Sequence, residues 1–374
     1  MSVPLAFYAP LKSPHHPAPS GDRTMARLLL KALAAAGFAP DLASELRTHD
    51  KAGDRAVQEA MRAQSEAEAE RLILAYRARP AHARPRLWFT YHVYYKAPDW
   101  IGPRVADALG IPYAVAEGSR AGKRAAGSWA LGHEGAEAAL DRAETLFAMT
   151  PADREALERQ RPPHQRLLDL PPFIDTAEWP AEMPSRIPGP IPRLLAVAMM
   201  RRGDKLASYR LLADALGSLT DLPWSLDIIG DGEARGEVER LFAPFVERVS
   251  FHGTAPDAGA LRAHYGAADL LVWPAVNEAY GMVFLEAQAC GCPVVAGAFG
   301  GVPSVVQDGR TGVLTPPGDA AAFADALRGL LADPLRLATY GREAHRFAHD
   351  ERGLPSAAAR LWDGLIPLLE RSAA

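Results

Sequence analysis

Residues 268–301 read ADLLVWPAVNEAYGMVFLEAQACGCPVVAGAFGG. The apolar run 270–273 predicts a strand, and the polar loop after it carries Glu278. A helix follows, entered through Gly281 and bearing Glu286, and 294–296 predict a second buried strand. Strand, loop, helix and strand in one stretch is the βαβ unit of a parallel sheet. Gly281 permits close backbone approach, and the free N–H groups and dipole of the helix it opens favour a bound phosphate or other anion.

The same alternation runs outward in both directions. Downstream of residue 193, strands are predicted at 194–198, 225–229 and 249–251, with closing helices at 320–332, 334–349 and 355–370. Upstream, strands are predicted at 4–8, 87–91, 112–116 and 145–149, with helices at 22–36, 55–78 and 99–109, one ending near 143 and one from 152. Between the halves, TAEWPAEMPSRIPGPIPR (176–193) holds five prolines and no periodic pattern, so it reads as a connector. The expected organisation is two α/β domains in series, 1–180 and 181–354, facing each other across a cleft. In open parallel sheets ligands sit off the carboxyl ends of the strands, so informative residues should follow strands directly.

Composition narrows the function classes. Of 374 residues 48% are hydrophobic and 23% charged, with a net charge of −4, which excludes a disordered chain and gives no basic excess for nucleic acid. No apolar run is long enough to span a membrane, and the start MSVPLAFYAPLKS lacks a signal-peptide pattern, so a cytoplasmic location is expected; peripheral membrane contact stays open. Cys290 and Cys292 are too close for an easy disulfide and too few for zinc. Among 41 basic residues only six are lysine (12, 31, 51, 96, 123 and 205), the rest arginine.

Glu278 and Glu286 stand in an E-x7-E spacing. Eight helical residues rise about 12 Å, whereas paired hydrolase carboxyls lie about 5 to 9.5 Å apart. An elongated ligand touched at two points fits better, and a nucleotide-sugar has that shape.

At these residues the sequence resembles the retaining glycosyltransferases of the GT-B fold, family 4, also described as glycosyl transferases group 1. The resemblance is carried in order by Glu278, Tyr280, Gly281, Leu285, Glu286, Ala287, Gly291, Pro293, Val294, Val295, Gly300 and Gly301. It extends through DIIGDGEARGEVERL (227–241), RVSFHG (248–253), HYGAADLLVWP (264–274) and VPSVVQDGRTGVLTPPGD (302–319). What it implies is a GT-B fold of two Rossmann-like domains, an N-terminal acceptor domain and a C-terminal donor domain, with the C-terminal helix at about 355–374 packing back on the N-terminal domain.

The resemblance also implies roles. Glu278 would hydrogen-bond the transferred sugar and Glu286 the ribose, while the stretch Tyr280, Gly281, Met282 and Val283 would hold the diphosphate and sugar. Thr254 and Ala255 would border the base, with Gly230 also on the donor side. In MMRRGDKLASY (199–209) Lys205 is the expected diphosphate cation; its partner is Arg201 or Arg202, because Met200 occupies the family's usual arginine position. In the first half, Gly21 would let the donor phosphate or acceptor approach, Asp22 reads as a helix N-cap, and His15 and His16 as exposed loop residues. Where the family places a histidine this chain has Glu117, Gly118 and Ser119. Glu117 takes over the sugar contact, or His92 does, or the donor is held differently; Glu117 could equally be a helix cap or salt-bridge partner. Asp175 reads as a hinge at most.

The implied function is transfer of a sugar from a UDP- or GDP-sugar to a hydroxyl of a glycan, lipid or small-molecule acceptor, as in polysaccharide biosynthesis, without cofactor or metal. The competing readings are a non-catalytic nucleotide-sugar-binding protein of this fold and a GT-B epimerase.

Overall fold

The computed structural model describes residues 2–18, 20–184 and 189–371. The chain divides into two units, Met1–Pro171 with Leu354–Ala374, and Pro172–Gly353.

In the first unit β1 (Val3–Tyr8), α1 (Gly21–Ala35), β2 (Phe38–Ser44), α2 (Arg55–Ala78), β3 (Trp88–Val93), α3 (Gly102–Leu109), β4 (Tyr113–Gly118), α4 (Ala130–Arg142), β5 (Thr145–Ala148), α5 (Pro151–Arg159) and β6 (Arg166–Asp169) follow one another. The strands form one parallel sheet in the order β2-β1-β3-β4-β5-β6. Helices cover both faces, so the central strands are apolar without alternation, and every residue of β4 is buried. Chain order reverses between β1 and β3, which makes their carboxyl ends the switch point of this sheet.

The second unit repeats the plan with β7 (Arg193–Val197), α6 (Asp204–Gly217), β8 (Ser225–Ile229), α7 (Arg235–Phe242), β9 (Val249–Gly253), α8 (Ala258–Ala267), β10 (Leu270–Trp273), α9 (Met282–Ala289), β11 (Val294–Gly297), β12 (Gly312–Thr315), α10 (Ala320–Leu331) and α11 (Pro334–Arg346). Its parallel sheet runs β12-β11-β10-β7-β8-β9, with the reversal between β7 and β10. A π-helical turn, Phe347–Glu351, extends α11, and α12 (Leu354–Arg371) then belongs to the first unit. There it packs on α1, burying Leu361, Leu365 and Leu368. Gly364 is required where α12 meets the sheet, since a Cβ there would lie 2.4 Å from the ring of Phe147 on β5.

Two expectations are corrected. The boundary expected at 180/181 falls at 171/172: Phe173 and Ile174 are buried, and the Ile174 amide donates to the Arg352 carbonyl at 2.9 Å, tying this segment to the second unit. Part of the proline-rich connector, 185–188, lies outside the described residues. Asp22 is not the N-cap of α1; Ser20 is, its hydroxyl accepting from the Arg23 amide at 3.2 Å, and Asp22 stands in the first turn. Strands β2, β6 and β12 were not anticipated from the sequence.

Close approach of the loops after β7 and β8 depends on glycine. Gly230 has φ 145°, and a Cβ there would lie 1.9 Å from the Ala198 carbonyl oxygen; at Gly232, φ 155°, it would lie 2.4 Å from that of Met200. Gly230→Ala should therefore destabilise the protein by at least about 2 kcal/mol. Gly329→Ala, in α10 with open space around the added carbon, should stabilise by about 0.5–1 kcal/mol. Urea unfolding of both variants checks this, and equal midpoints would contradict the packing described.

Candidate functional site

In a parallel sheet the loops after adjacent strands leave one edge. Thr254 and Ala255 after β9, Gly230 after β8, Arg201 after β7 and Glu278 after β10 therefore share the carboxyl edge of the second sheet. The loop after β10 is held in a demanding conformation. Ala275 and Asn277 have φ 58° and 50°, a left-handed backbone that costs a non-glycine residue about 1–2 kcal/mol.

Contacts to α6 hold it there. Asn277 Nδ2 donates to Asp204 Oδ1 at 2.9 Å, and the Val276 amide donates to Ser208 Oγ at 2.9 Å. Lys205 Nζ, in the first turn of α6, pairs with Glu278 Oε2 and lies 5.7 Å from the centre of the Trp273 ring. The side chains of Lys205 and Glu278 are 25% and 18% exposed, so water screens this pair less than a surface pair. From the other side, Gly300 is forced by the carbonyl of Glu278, 2.4 Å from where a Cβ would stand, and the Gly301 amide donates to the Ala279 carbonyl at 2.6 Å.

Gly281, φ 74°, opens α9 without a side-chain cap. A Cβ there would meet the Phe284 ring at 2.6 Å, so no other residue fits. The amides of the first turn, Met282 and Val283 among them, have no intrahelical acceptor and carry the positive end of the helix dipole. Tyr280 is buried beside them. Further along α9, Glu286 Oε2 accepts from the Tyr265 hydroxyl at 2.9 Å, and burial pushes its carboxyl above the usual range. Tyr265 was missed by the sequence reading, although it lies in the quoted HYGAADLLVWP.

Of the two candidate arginines, Arg202 is paired with Glu237 at 3.2 Å, whereas the exposed Arg201 forms no ion pair among the described residues.

In the first unit the structure brings both candidates for the replaced histidine together. His92 at the end of β3 and Glu117 at the end of β4 have φ 64° and 58°, so both depart from extended backbone where the sheet ends. His92 Nδ1 lies 3.2 Å from Asp22 Oδ1 and 3.7 Å from Glu117 Oε1. The Oε2 atom of Glu117 is buried with no hydrogen-bond partner among the described residues. Burial alone would depress the imidazole, but Glu117 and Asp22 outweigh it and raise its pKa to about 9. Burial raises the Glu117 carboxyl; it also works to raise that of Asp22, but the hydrogen bond and charge of His92 turn the net shift downward. Gly21 opens α1 with open space where a Cβ would stand. His15 lies 3.2 Å from Glu45 on the surface, and His16 Nδ1 accepts from the Ala18 amide at 3.1 Å. Asp175 caps a single 3₁₀ turn through the Ala177 amide.

Two doubly wound sheets with the C-terminal helix returning to the first define the GT-B fold, and solved structures share it along the whole chain. Sucrose-phosphate synthase from Thermosynechococcus elongatus superposes with a TM-score of 0.70 over 100% of both chains at 22% identity. Anabaena Alr3699/HepE in complex with UDP gives 0.71 over 98% of this chain and 100% of that one at 16% identity. Residues 191–333 match the model of the family described as glycosyl transferases group 1. A GDP-mannose-dependent alpha-(1-6)-phosphatidylinositol monomannoside mannosyltransferase of Mycolicibacterium smegmatis is 32% identical over 217 residues, 53% of this chain and 56% of the relative. A D-inositol 3-phosphate glycosyltransferase of Arthrobacter sp. is 32% identical over 216 residues, 55% and 51% of the two chains. The chain thus spans about half the length of these two curated relatives. Among the described residues no helix is long and apolar enough to cross a membrane.

The His92 cluster makes stability depend on pH. A histidine near 9 when folded and about 6.5 when unfolded contributes stability that is full below pH 6.5 and lost as pH rises through 9. Compared with His92→Gln, the wild-type protein should lose up to about 3 kcal/mol of relative stability between pH 6 and pH 10. Urea denaturation across that range measures it, and a pH-independent difference would refute the coupling.

Proposed function

We propose that the protein is a retaining glycosyltransferase that moves a sugar from a nucleotide-diphosphate donor to an acceptor hydroxyl. The observation that carries this reading is the Lys205–Glu278 pair at the β7/β10 reversal, together with the uncapped amides that open α9. A cation and a row of N–H groups suit a diphosphate, while a carboxylate in their midst suits a sugar hydroxyl. Relatives named for GDP-mannose and a structural neighbour bound to UDP support a nucleotide-sugar donor.

In the proposed reaction the bond from the anomeric carbon to the diphosphate oxygen breaks, and a bond from that carbon to the acceptor oxygen forms on the same face. The leaving phosphate oxygen takes the acceptor proton. Negative charge grows on the diphosphate as the sugar becomes oxocarbenium-like. Lys205, Arg201 and the amides of Gly281, Met282 and Val283 stabilise that charge through groups already in place. A diphosphate competes with Glu278 for Lys205, and Glu278 then accepts a hydroxyl of the transferred sugar. Glu286, fixed by Tyr265, receives the ribose hydroxyls; Thr254, Ala255 and Gly230 border the base. Protein cations do the work of a metal in this scheme, so turnover should survive EDTA.

The test is a panel of UDP- and GDP-sugars, followed for binding and for slow hydrolysis without acceptor. Lys205→Ala should lower kcat about 100-fold or more, and Glu278→Ala should likewise act mainly on kcat. Glu286→Ala should raise the donor KM about tenfold or more. Absence of both binding and turnover across the panel would overturn the reading; binding with no turnover would select the non-catalytic alternative.

A further inference from the structure

The segment 173–183, near the start of the second unit, is anchored at Ile174, Trp179, Pro180 and Met183. The Ile174 amide donates to the Arg352 carbonyl at 2.9 Å, and the Arg352 guanidinium lies 4.5 Å from the centre of the Phe347 ring. A 3₁₀ turn, Thr176–Glu178, follows, and the Trp179 amide closes it by donating to the Thr176 carbonyl at 3.2 Å. Trp179 then packs against α8, its ring centre 6.2 Å from that of Tyr265. Further along, Met183 lies over the turn that ends α9: a Cβ at Gly291 would stand 2.5 Å from Met183 Cγ.

A pair of histidines joins this segment to the same helix end. His345 Nε2 donates to the Pro180 carbonyl and His349 Nε2 to the Ala289 carbonyl at the end of α9, both at 3.2 Å. A carbonyl only accepts, so each ring carries its proton on Nε2. The two imidazoles stack with their centres 4.2 Å apart and their planes 24° apart. The contacts thus close a ring, out from Trp179 through Tyr265 to Glu286 on α9, and back from Ala289 through the histidines to Pro180.

Tyr265 is the link in that ring that touches the carboxylate. Its side chain is fully buried, and burial above all pushes the phenol well above its usual range, so it stays protonated and donates. Besides Glu286, the thiols of Cys290 and Cys292 lie near it and push in the same direction. The hydroxyl binds Oε2 of Glu286, which directs the carboxylate and leaves Oε1 to a ligand. A phenol can aim a carboxylate only while its own ring is held, and Trp179 packs on that ring at a distance and tilt where aromatic pairs attract.

We propose that Trp179 is a positioning residue for nucleotide binding: it holds the Tyr265 ring so that the hydroxyl aims Glu286, and the His345–His349 stack seats the segment that carries it. The inference rests on the reading of Glu286 as the carboxylate that receives the ribose of a nucleotide diphosphate. A loosened segment frees Tyr265 to turn, and Glu286 loses its hydrogen bond. Burial already raises the Glu286 carboxyl and only the Tyr265 hydroxyl opposes this, so without that donor it takes up a proton more readily. A turned or protonated Glu286 accepts fewer ribose hydroxyls. Donor affinity falls, while the bond-breaking step, assigned to Lys205 and Glu278, is left alone.

In the full chain the Glu286 carboxyl is titrated by difference infrared spectroscopy, its band assigned by loss in Glu286→Gln, and GDP and UDP are titrated by calorimetry. Tyr265→Phe should raise the Glu286 midpoint, Trp179→Ala should move it the same way, and Trp179→Phe should restore it. Trp179→Ala should also raise the donor KM about threefold or more, with kcat within about twofold. Because the two residues act in series, Trp179→Ala/Tyr265→Phe should bind nucleotide no more weakly than Tyr265→Phe alone. His345→Ala, which unseats the segment and leaves Trp179 in place, should shift midpoint and KM in the same directions, and it decides the matter if Trp179→Ala does not fold. An unmoved Glu286 midpoint in Trp179→Ala or His345→Ala, or additive losses in the double variant, would overturn the proposal. Wild-type protein that binds neither GDP nor UDP would overturn the ribose reading instead, and a midpoint that still moves in Trp179→Ala would keep the coupling of Trp179 to Glu286.

Discussion

The ion pair between Lys205 and Glu278, 73 residues apart, is the contact on which the second unit's edge depends. It spans the reversal between β7 and β10, where parallel topology leaves a crevice with no crossover helix over it. Removing one partner would leave the other charge partly buried and uncompensated. That cost helps explain how the loop can hold two non-glycine residues in left-handed backbone. Asn277 and Val276 also bind the same loop to α6 through hydrogen bonds to Asp204 and Ser208.

The two units solve a similar problem with different chemistry. In the second, a lysine and a glutamate meet across the reversal. In the first, a histidine stands between two carboxylates at the ends of β3 and β4 and the start of α1. Both arrangements put opposite charges in partly dry surroundings at strand ends, where helix N-termini already supply oriented amides. Both also use residues forced out of extended geometry where the sheet stops.

Much of this was legible in the sequence, and the losses have physical causes. The central strands announced themselves as uninterrupted apolar runs, because a parallel strand covered on both faces has no polar side to show. The strands β2, β6 and β12, all at sheet edges, were lost for reasons local to their sequences. The first, FAPDLAS, carries Pro40 and Asp41, tolerable where one side of the ladder is unpaired; RLLD and GVLT are too short for a pattern to register. Glu278, Gly281 and Lys205 could be picked out because spacing and rarity single them out. Tyr265 could not, since a buried tyrosine in a helix reads as core, and its hydrogen bond to Glu286 emerges only in three dimensions. The capping of α1 went to Ser20 and not to Asp22 for a similar reason. Both residues are good caps, and the neighbour that claims Asp22, His92, is remote in sequence.

The division of labour between lysine and arginine has a practical side. With five of its six lysines in segments that follow strands, the chain carries its lysine amines almost entirely along the carboxyl edges of its two sheets. Its two cysteines are buried and offer little to thiol reagents. Attaching this protein to a surface or a dye through amines would therefore modify those edges, Lys205 of the proposed donor site included. A fluorophore or tether placed on the arginine-covered helices would leave them open.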